Sequence, residues 1–405
     1  MKKINIKCCS VTKLRFWDRL KRTGKTIGPQ KKATMNRQKK IAVLVSFSGQ
    51  GGVERMMLNL CEGMVSHGFC VDVLAVKDTG LTPERIPAGV NLIRLGASHT
   101  FGCLPALVRY LRRERPAALL SAKDRANQVA VLAHLISGRK SRLALRMGTT
   151  VSAALTDAGP LRKWLWFFPI RRLYPLADAI IAVSNGVAED LGRITGLTGE
   201  RIRVLANPVL TAAMETLSEQ PVPFPFTPDE NIPMIIGAGR LTRQKDFPTL
   251  IRAFARLRAQ RRCRLAIIGE GGDRQRLEAL ARQLAVAGDL WMPGFTPNPY
   301  AVVAKANLFV LSSAWEGSPN VLTEAMALGV PVVSTDCPSG PSEILAGGKY
   351  GRLVPVADPG AMAAAMAATL DAPPRREMLK RRVRSYRVGT SSRRYLETLL
   401  GPPVR

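Results

Sequence analysis

Two sets of short apolar runs alternate with amphipathic stretches, and the proline-rich segment PVPFPFTPDENIP (221–233) parts them. That arrangement restricts the chain to a two-part α/β architecture. The first set comprises IAVLVSF (41–47), VDVLAV (71–76), AALLSA (117–122) and AIIAVS (179–184). These runs lack one-sided alternation and predict strands buried on both faces. Helical periodicity fills the intervals, as over Glu54–His67 and Ala126–Ile136. After the break the pattern restarts with MIIGAG (234–239), RLAIIG (264–269), LFVLSS (308–313) and VPVVST (330–335). Helices are predicted between them near 246–260, 273–287 and 319–328. Strand–helix alternation of this kind predicts parallel, doubly wound sheets.

The expected order is a basic extension (1–40), a first Rossmann-like domain (41–205), a linker (206–233), a second Rossmann-like domain (234–375) and a basic helical end (376–405). The helical end is expected to pack back on the first domain. A cleft between the domains is the expected ligand site, because open α/β sheets bind ligands beyond the carboxyl ends of their strands.

At 405 residues the chain exceeds one ordinary core, and its 60 Lys and Arg against 30 Asp and Glu give a net charge of +30. Unless that charge is merely solvated, it implies an anionic partner: nucleic acid, an acidic membrane surface or a phosphorylated substrate. Fourteen of the cations fall within residues 1–40, with Asp18 as the one acid. This stretch reads either as a basic arm or as sequence ahead of a start at Met35. The seven cysteines (Cys8, Cys9, Cys61, Cys70, Cys103, Cys263, Cys337) are scattered, without a C-x-x-C pair, which fits a reduced, cytoplasmic setting. No apolar stretch reaches membrane-spanning length and no signal peptide is visible.

The segment WEGSPNVLTEAMALGVPVV (315–333) is the richest in chemistry. Ser318 is a favoured N-cap, Pro319 fits the first helical position, and Gly329 closes a helix before a buried strand. Val321, Leu322, Ala325, Met326 and Leu328 share one face, with Glu324 at its edge and Glu316 on the preceding loop. Two carboxylates thus flank a helix N-terminus whose free N–H groups attract an anion.

Three glycine-rich turns, SGQGGVER (48–55), GAGRLTRQKD (237–246) and GEGGDR (269–274), follow strands and suit close approach to phosphate. None completes a dinucleotide fingerprint, since Glu54 and Arg274 stand where the first and third would need their last glycine. Arg240 and Lys245 lie on the loop beyond a strand end, where a planar fork and a point charge suit a diphosphate. His67, His99 and His134 read as structural histidines. The segment RKWLWFFPIRRLY (162–174) interleaves cations with aromatics. It suits a membrane interface or base stacking, or equally a buried helix with a basic rim.

Taken together, GAGRLTRQKDFPTLIRAF, AIIGEGGDRQRLEAL, WEGSPNVLTEAMALGVPVVST, GPSEIL and GRLVPVADP resemble the C-terminal half of family 4 glycosyltransferases, which have the GT-B fold. GGVERMMLNL and AIIAVSNGVAEDL resemble that family's N-terminal domain, so the likeness spans roughly residues 40 to 400. It implies retaining transfer of a sugar from a nucleotide-sugar donor without a divalent metal or other cofactor. It also implies roles for residues. Arg240 and Lys245 would hold the donor diphosphate, helped by backbone at Ser318, Pro319, Asn320 and Val321. Glu324 would take the ribose hydroxyls, Glu316 those of the transferred sugar, and Phe295 would join the donor site. Gly51 and Gly52 would cap the cleft from the other domain.

Many members carry a histidine where this chain has Ala122 in LLSAKDRAN. Lys123, Asp124, Asn127 and Arg146 are therefore the candidates on the acceptor side. The resemblance further implies a lipid-linked or saccharide acceptor in bacterial surface polysaccharide or lipopolysaccharide assembly, and the basic surface with the aromatic stretch at 162–174 suits a cytoplasmic enzyme held peripherally at the inner membrane, with anionic lipid as partner. A nucleotide-sugar epimerase of the same fold is the rival enzyme, and a basic nucleic-acid-binding protein the rival outside enzymes. The latter lacks any reader motif, so no nucleic acid is expected.

Overall fold

The structure is a computed structural model that describes residues 39–47, 51–76, 85–225 and 232–401. Residues 1–38 of the basic extension, with Cys8 and Cys9, and residues 48–50 of the first glycine turn lie outside them.

The first domain begins β1 (Lys40–Val45), α1 (Gly52–Ser66), β2 (Cys70–Ala75), β3 (Val90–Arg94), α2 (Leu104–Glu114) and β4 (Ala118–Ala122). It continues with α3 (Asp124–Ile136), β5 (Arg142–Met147), α4 (Val151–Ala154), α5 (Pro160–Leu173), β6 (Ala179–Ala182), α6 (Asn185–Thr195) and β7 (Ile202–Val204). Its seven strands lie in the order β3-β2-β1-β4-β5-β6-β7, all parallel. Apolar residues alternate across the strands to feed two cores. Ala42 and Leu44 face the layer of α2, α3, α5 and α6, whereas Ile41, Val43 and Val45 face α1.

The second domain runs α7 (Ala213–Ser218), β8 (Met234–Ala238), α8 (Phe247–Arg258), β9 (Arg264–Ile268), α9 (Arg274–Gln283) and β10 (Leu290–Gly294). Then come α10 (Pro299–Ala304), β11 (Leu308–Leu311), α11 (Asn320–Ala327), β12 (Val332–Thr335), α12 (Pro341–Leu345), β13 (Arg352–Val354) and α13 (Pro359–Asp371). Its six strands are again parallel, in the order β10-β9-β8-β11-β12-β13. The doubly wound pair of sheets expected from the apolar runs is present, and the arrangement is the GT-B fold.

The C-terminal stretch divides in two, unlike the single helical segment expected over 376–400. Helix α14 (Arg376–Arg382) stays on the second domain, where Leu379 is fully buried. Helix α15 (Val388–Leu400) crosses to the first, burying Tyr395, Leu396 and Leu399 in the core beneath α1. The two crossings run side by side. Val209 and Leu210 N–H groups donate to the Tyr386 carbonyl at 3.0 and 3.1 Å, and the Val388 N–H donates to the Leu210 carbonyl at 3.0 Å.

Candidate active site

Helix α11 sets the site. Pro319 is the N-cap itself (φ −70°, ψ 104°), one position later than the sequence suggests, and no side chain caps the helix, so Ser318 does not. The Leu322 N–H turns back to the Pro319 carbonyl at 3.2 Å, and the N–H groups of Asn320 and Val321 remain available to a ligand. Gly329 closes α11 in the left-handed region (φ +75°), with its N–H donating to the Met326 carbonyl and that of Val330 to the Ala325 carbonyl, both at 3.0 Å. This Schellman arrangement turns the chain straight into β12.

Glu316 and Glu324 are both buried, at 6% and 4% exposure, although each carries a charge. Burial of that kind demands partners. Lys245 Nζ donates to Glu316 Oε1, and Ser313 Oγ donates to the same oxygen at 2.7 Å. The loop bearing Lys245 is stitched to the loop bearing Glu316. Ser312 Oγ donates to the Lys245 carbonyl at 2.7 Å and Gln244 Nε2 to the Trp315 carbonyl at 3.0 Å. Arg240, at the carboxyl end of β8, is exposed and makes no ion pair with the described residues. Phe295 is 48% exposed beyond β10.

The first domain closes over this edge. Thr150 Oγ1 donates to the Glu316 carbonyl at 2.8 Å. A Cβ on Gly317 would stand 2.2 Å from the Gly148 carbonyl oxygen, so only glycine permits that backbone approach. Gly51 is the N-cap of α1, and the Gly52 carbonyl accepts from Asn320 Nδ2 at 3.5 Å, which puts the first glycine turn opposite the start of α11. Arg243 and Asp157 form another ion pair between the domains.

One partner of the site went unrecognised in the sequence. Arg55, the fourth residue of α1, forms an ion pair with Glu324 across the cleft. Its guanidinium also lies 5.2 Å from the centre of the Tyr300 ring, whose phenol is 3.5 Å from Glu324 Oε1. The Glu324 carboxylate raises the Arg55 pKa further above its ordinary value, and burial pushes the Tyr300 phenol up. Burial, helped by the Glu316 charge, pushes the Cys337 thiol up to about 12, which keeps it protonated and unreactive.

The acceptor-side candidates separate. Lys123, at φ +79° beyond β4, donates to the Ser46 carbonyl at 2.7 Å and to Glu54 Oε1 at 3.1 Å. Asp124 accepts from the Tyr174 phenol at 2.9 Å and Gln128 at 3.1 Å, while burial raises its pKa. Asn127 and Arg146, by contrast, are interior, at 0% and 2% exposure. Asn127 Nδ2 donates to the Arg146 carbonyl and Tyr174 Oη at 3.1 and 3.0 Å. The Arg146 guanidinium donates to Asn207 Oδ1 at 2.7 Å and Tyr395 Oη at 3.2 Å. Neither is open to an acceptor; Arg146 instead ties β5 to α15.

Two family descriptions together cover most of the chain. "Glycosyltransferase Family 4" matches residues 50–212 and "Glycosyl transferases group 1" residues 219–386. The chain is 30% identical over 332 residues to the N-acetylgalactosamine-N,N'-diacetylbacillosaminyl-diphospho-undecaprenol 4-alpha-N-acetylgalactosaminyltransferase of Campylobacter jejuni, covering 80% of this chain and 88% of that one. It belongs to the family 4 glycosyltransferases. This glycosyltransferase is also 28% identical over 370 residues to the lipopolysaccharide core biosynthesis glycosyltransferase LpsE of Rhizobium meliloti, covering 88% and 98% of the two chains. Among solved structures, Anabaena HepE in complex with UDP superposes with a TM-score of 0.69 at 18% identity, over 89% of this chain and 99% of that one. The lipopolysaccharide outer core galactosyltransferase WaaB superposes with a TM-score of 0.66 at 22% identity, over 89% and 98%. At those identities the likeness is one of fold.

Proposed function

We propose that this glycosyltransferase moves a sugar, with retention of configuration, from a UDP-sugar to a lipid-linked or saccharide acceptor during bacterial surface polysaccharide or lipopolysaccharide assembly, as a peripheral enzyme at the inner membrane face. The carrying observation is the pairing of half-buried Lys245 with buried Glu316 beside the uncapped N-terminus of α11. There Lys245, the exposed Arg240 and the first-turn N–H groups supply positive charge where a diphosphate leaves. Glu316 receives hydroxyls of the transferred sugar, Glu324 those of the ribose, and Phe295 an aromatic face for the base.

In the transfer, the bond from the anomeric carbon to the phosphate oxygen breaks and a bond to the acceptor oxygen forms on the same face. The acceptor proton passes to the departing phosphate. The cations and α11 stabilise the charge on that phosphate, so the reading requires neither divalent metal nor cofactor. The Campylobacter relative is named for an acceptor on diphospho-undecaprenol, which supports the lipid-linked class. The test is UDP and GDP release from a donor panel, with and without lipid-linked acceptor, and NMR of the product anomer. Acceptor-dependent UDP release with a retained anomer is expected. An inverted product overturns retention, and conversion of the donor to an epimer without acceptor overturns transfer.

A further inference from the structure

Helix α5 buries Ile170 and packs Trp166, Phe167 and Leu173 on the first domain's core. Its opposite side is also apolar. Leu161, Trp164, Leu165 and Phe168 are 70%, 57%, 56% and 45% exposed, at the i, i+3, i+4, i+7 spacing of one helical stripe. The stripe is continuous. The Trp164 and Phe168 rings lie 5.2 Å apart and the Arg172 guanidinium sits 5.7 Å from the Phe168 ring centre. Arg162, Lys163, Arg171 and Arg172 flank it, and α5 contains no acid. In the same helix layer, an open groove of about 680 Å³ is lined by the apolar Leu104, Val108 and Ile136 and by the cations Arg109, Arg112 and Arg113.

From this surface we infer that the outer side of the α2–α3–α5 layer docks on an anionic lipid bilayer, with the α5 stripe inserted among the headgroups. Exposed aromatics beside cations match the boundary between headgroups and acyl chains, and the cations match anionic lipid. A second copy of the chain matches poorly, because a two-fold contact would bring the four α5 cations against their own counterparts. The surface also lies where transfer needs it. Asp157, four residues before Leu161, is paired with Arg243 of the loop that carries Arg240 and Lys245, so α5 starts at the cleft mouth. This deepens the reading of the acceptor as lipid-linked and rests on it.

The test uses the full chain with phosphatidylglycerol–phosphatidylcholine vesicles and with phosphatidylcholine alone. Residues 1–40 carry cations that can themselves attract vesicles, and Trp17 as well, so the deciding signal is quenching of tryptophan by brominated acyl chains in a Trp17→Phe background. Quenching is expected on anionic vesicles and largely lost in Trp164→Phe, which keeps the helix intact. Replacing Leu161, Trp164, Leu165 and Phe168 with Ser should weaken partitioning on the order of tenfold or more, since the lost apolar area no longer leaves water. Because these side chains are exposed, UDP release to water or a soluble acceptor should persist in that variant; its loss in the wild type as well would strike at the transfer reading alone. Unchanged quenching in Trp164→Phe, or a lipid-free dimer that the Ser variant abolishes, would each overturn the docking surface.

Discussion

Arg55 and Glu324 stand 269 positions apart in the chain and meet as an ion pair across the cleft, with Tyr300 against both. The carboxylate proposed to receive the donor ribose is thus already engaged by the opposite domain. Ribose hydroxyls entering here must share or displace Arg55, which links nucleotide binding to the relative position of the domains. Replacing Glu324 with Ala should weaken UDP binding by roughly 1.5–3 kcal/mol, the worth of hydrogen bonds to a charged acceptor. Titration calorimetry reads this directly, and an unchanged Kd would remove Glu324 from the ribose. In Arg55→Ala the ligand-free protein should open, seen as a larger radius of gyration in solution scattering.

The cations should act on turnover more than on binding. Arg240→Ala and Lys245→Ala should each lower kcat on the order of 10²-fold or more, because the diphosphate gains charge as it departs. EDTA should leave the wild-type rate unchanged. Activity lost on chelation and restored by manganese would refute the metal-free scheme.

Gly317 offers a test of the closed cleft that leaves every polar group in place. In Gly317→Ala the new methyl would sit 2.2 Å from the Gly148 carbonyl oxygen, so the two domains cannot approach as they do here. Overpacking of this kind costs about 1–3 kcal/mol. The variant should retain its far-ultraviolet circular dichroism but lose much of its kcat, with a smaller effect on the Kd of UDP. Wild-type turnover would show that catalysis does not need this contact.

A pH effect on stability follows from His134. It is buried, its Nδ1 has no hydrogen-bond partner among the described residues, and Nε2 is 4.0 Å from Asp178. Burial, opposed by Asp178, holds its pKa below the ordinary 6.5. The unfolded chain therefore takes up the proton first, and the contribution of neutral His134, full above pH 6.5, is lost as pH falls through the lower folded value. Thermal melts between pH 8 and 5 should fall less steeply for His134→Gln than for the wild type.

The sequence disclosed those parts of the fold whose residues serve one physical role. β1 and β8 are apolar runs buried on both faces, and their limits were legible to within two residues. The strands that escaped notice are interrupted by charge or lie at sheet edges. RLALRM of β5 carries, one residue before its end, a buried arginine whose donors go to Asn207 and Tyr395, and VNLIR of β3 is an edge strand. The placement of Glu316 and Glu324 about one helix start was legible because they lie eight positions apart, and that of Arg240 and Lys245 on one loop because they lie five apart. Arg55 was not, since GGVER announces only a helix N-terminus and its partner belongs to the other domain. Arg146 and Asn127 looked available for the converse reason: nothing local reveals that Tyr395 and Tyr174 occupy them.

Helix α15 has a consequence for how the protein is made. It covers α1 and contributes Tyr395, Leu396 and Leu399 to the first domain's core, although it is the last helix of the described chain. A ribosome adds about 5–20 residues per second, so the first sheet waits on the order of 10–40 s after β7 for its final cover. During that interval one apolar face of a nearly complete domain is bare to the surrounding medium. Translation speed and chaperone capture thus bear on the yield of this enzyme, and a ribosome stalled before residue 388 leaves a first domain that is threaded correctly yet unsealed.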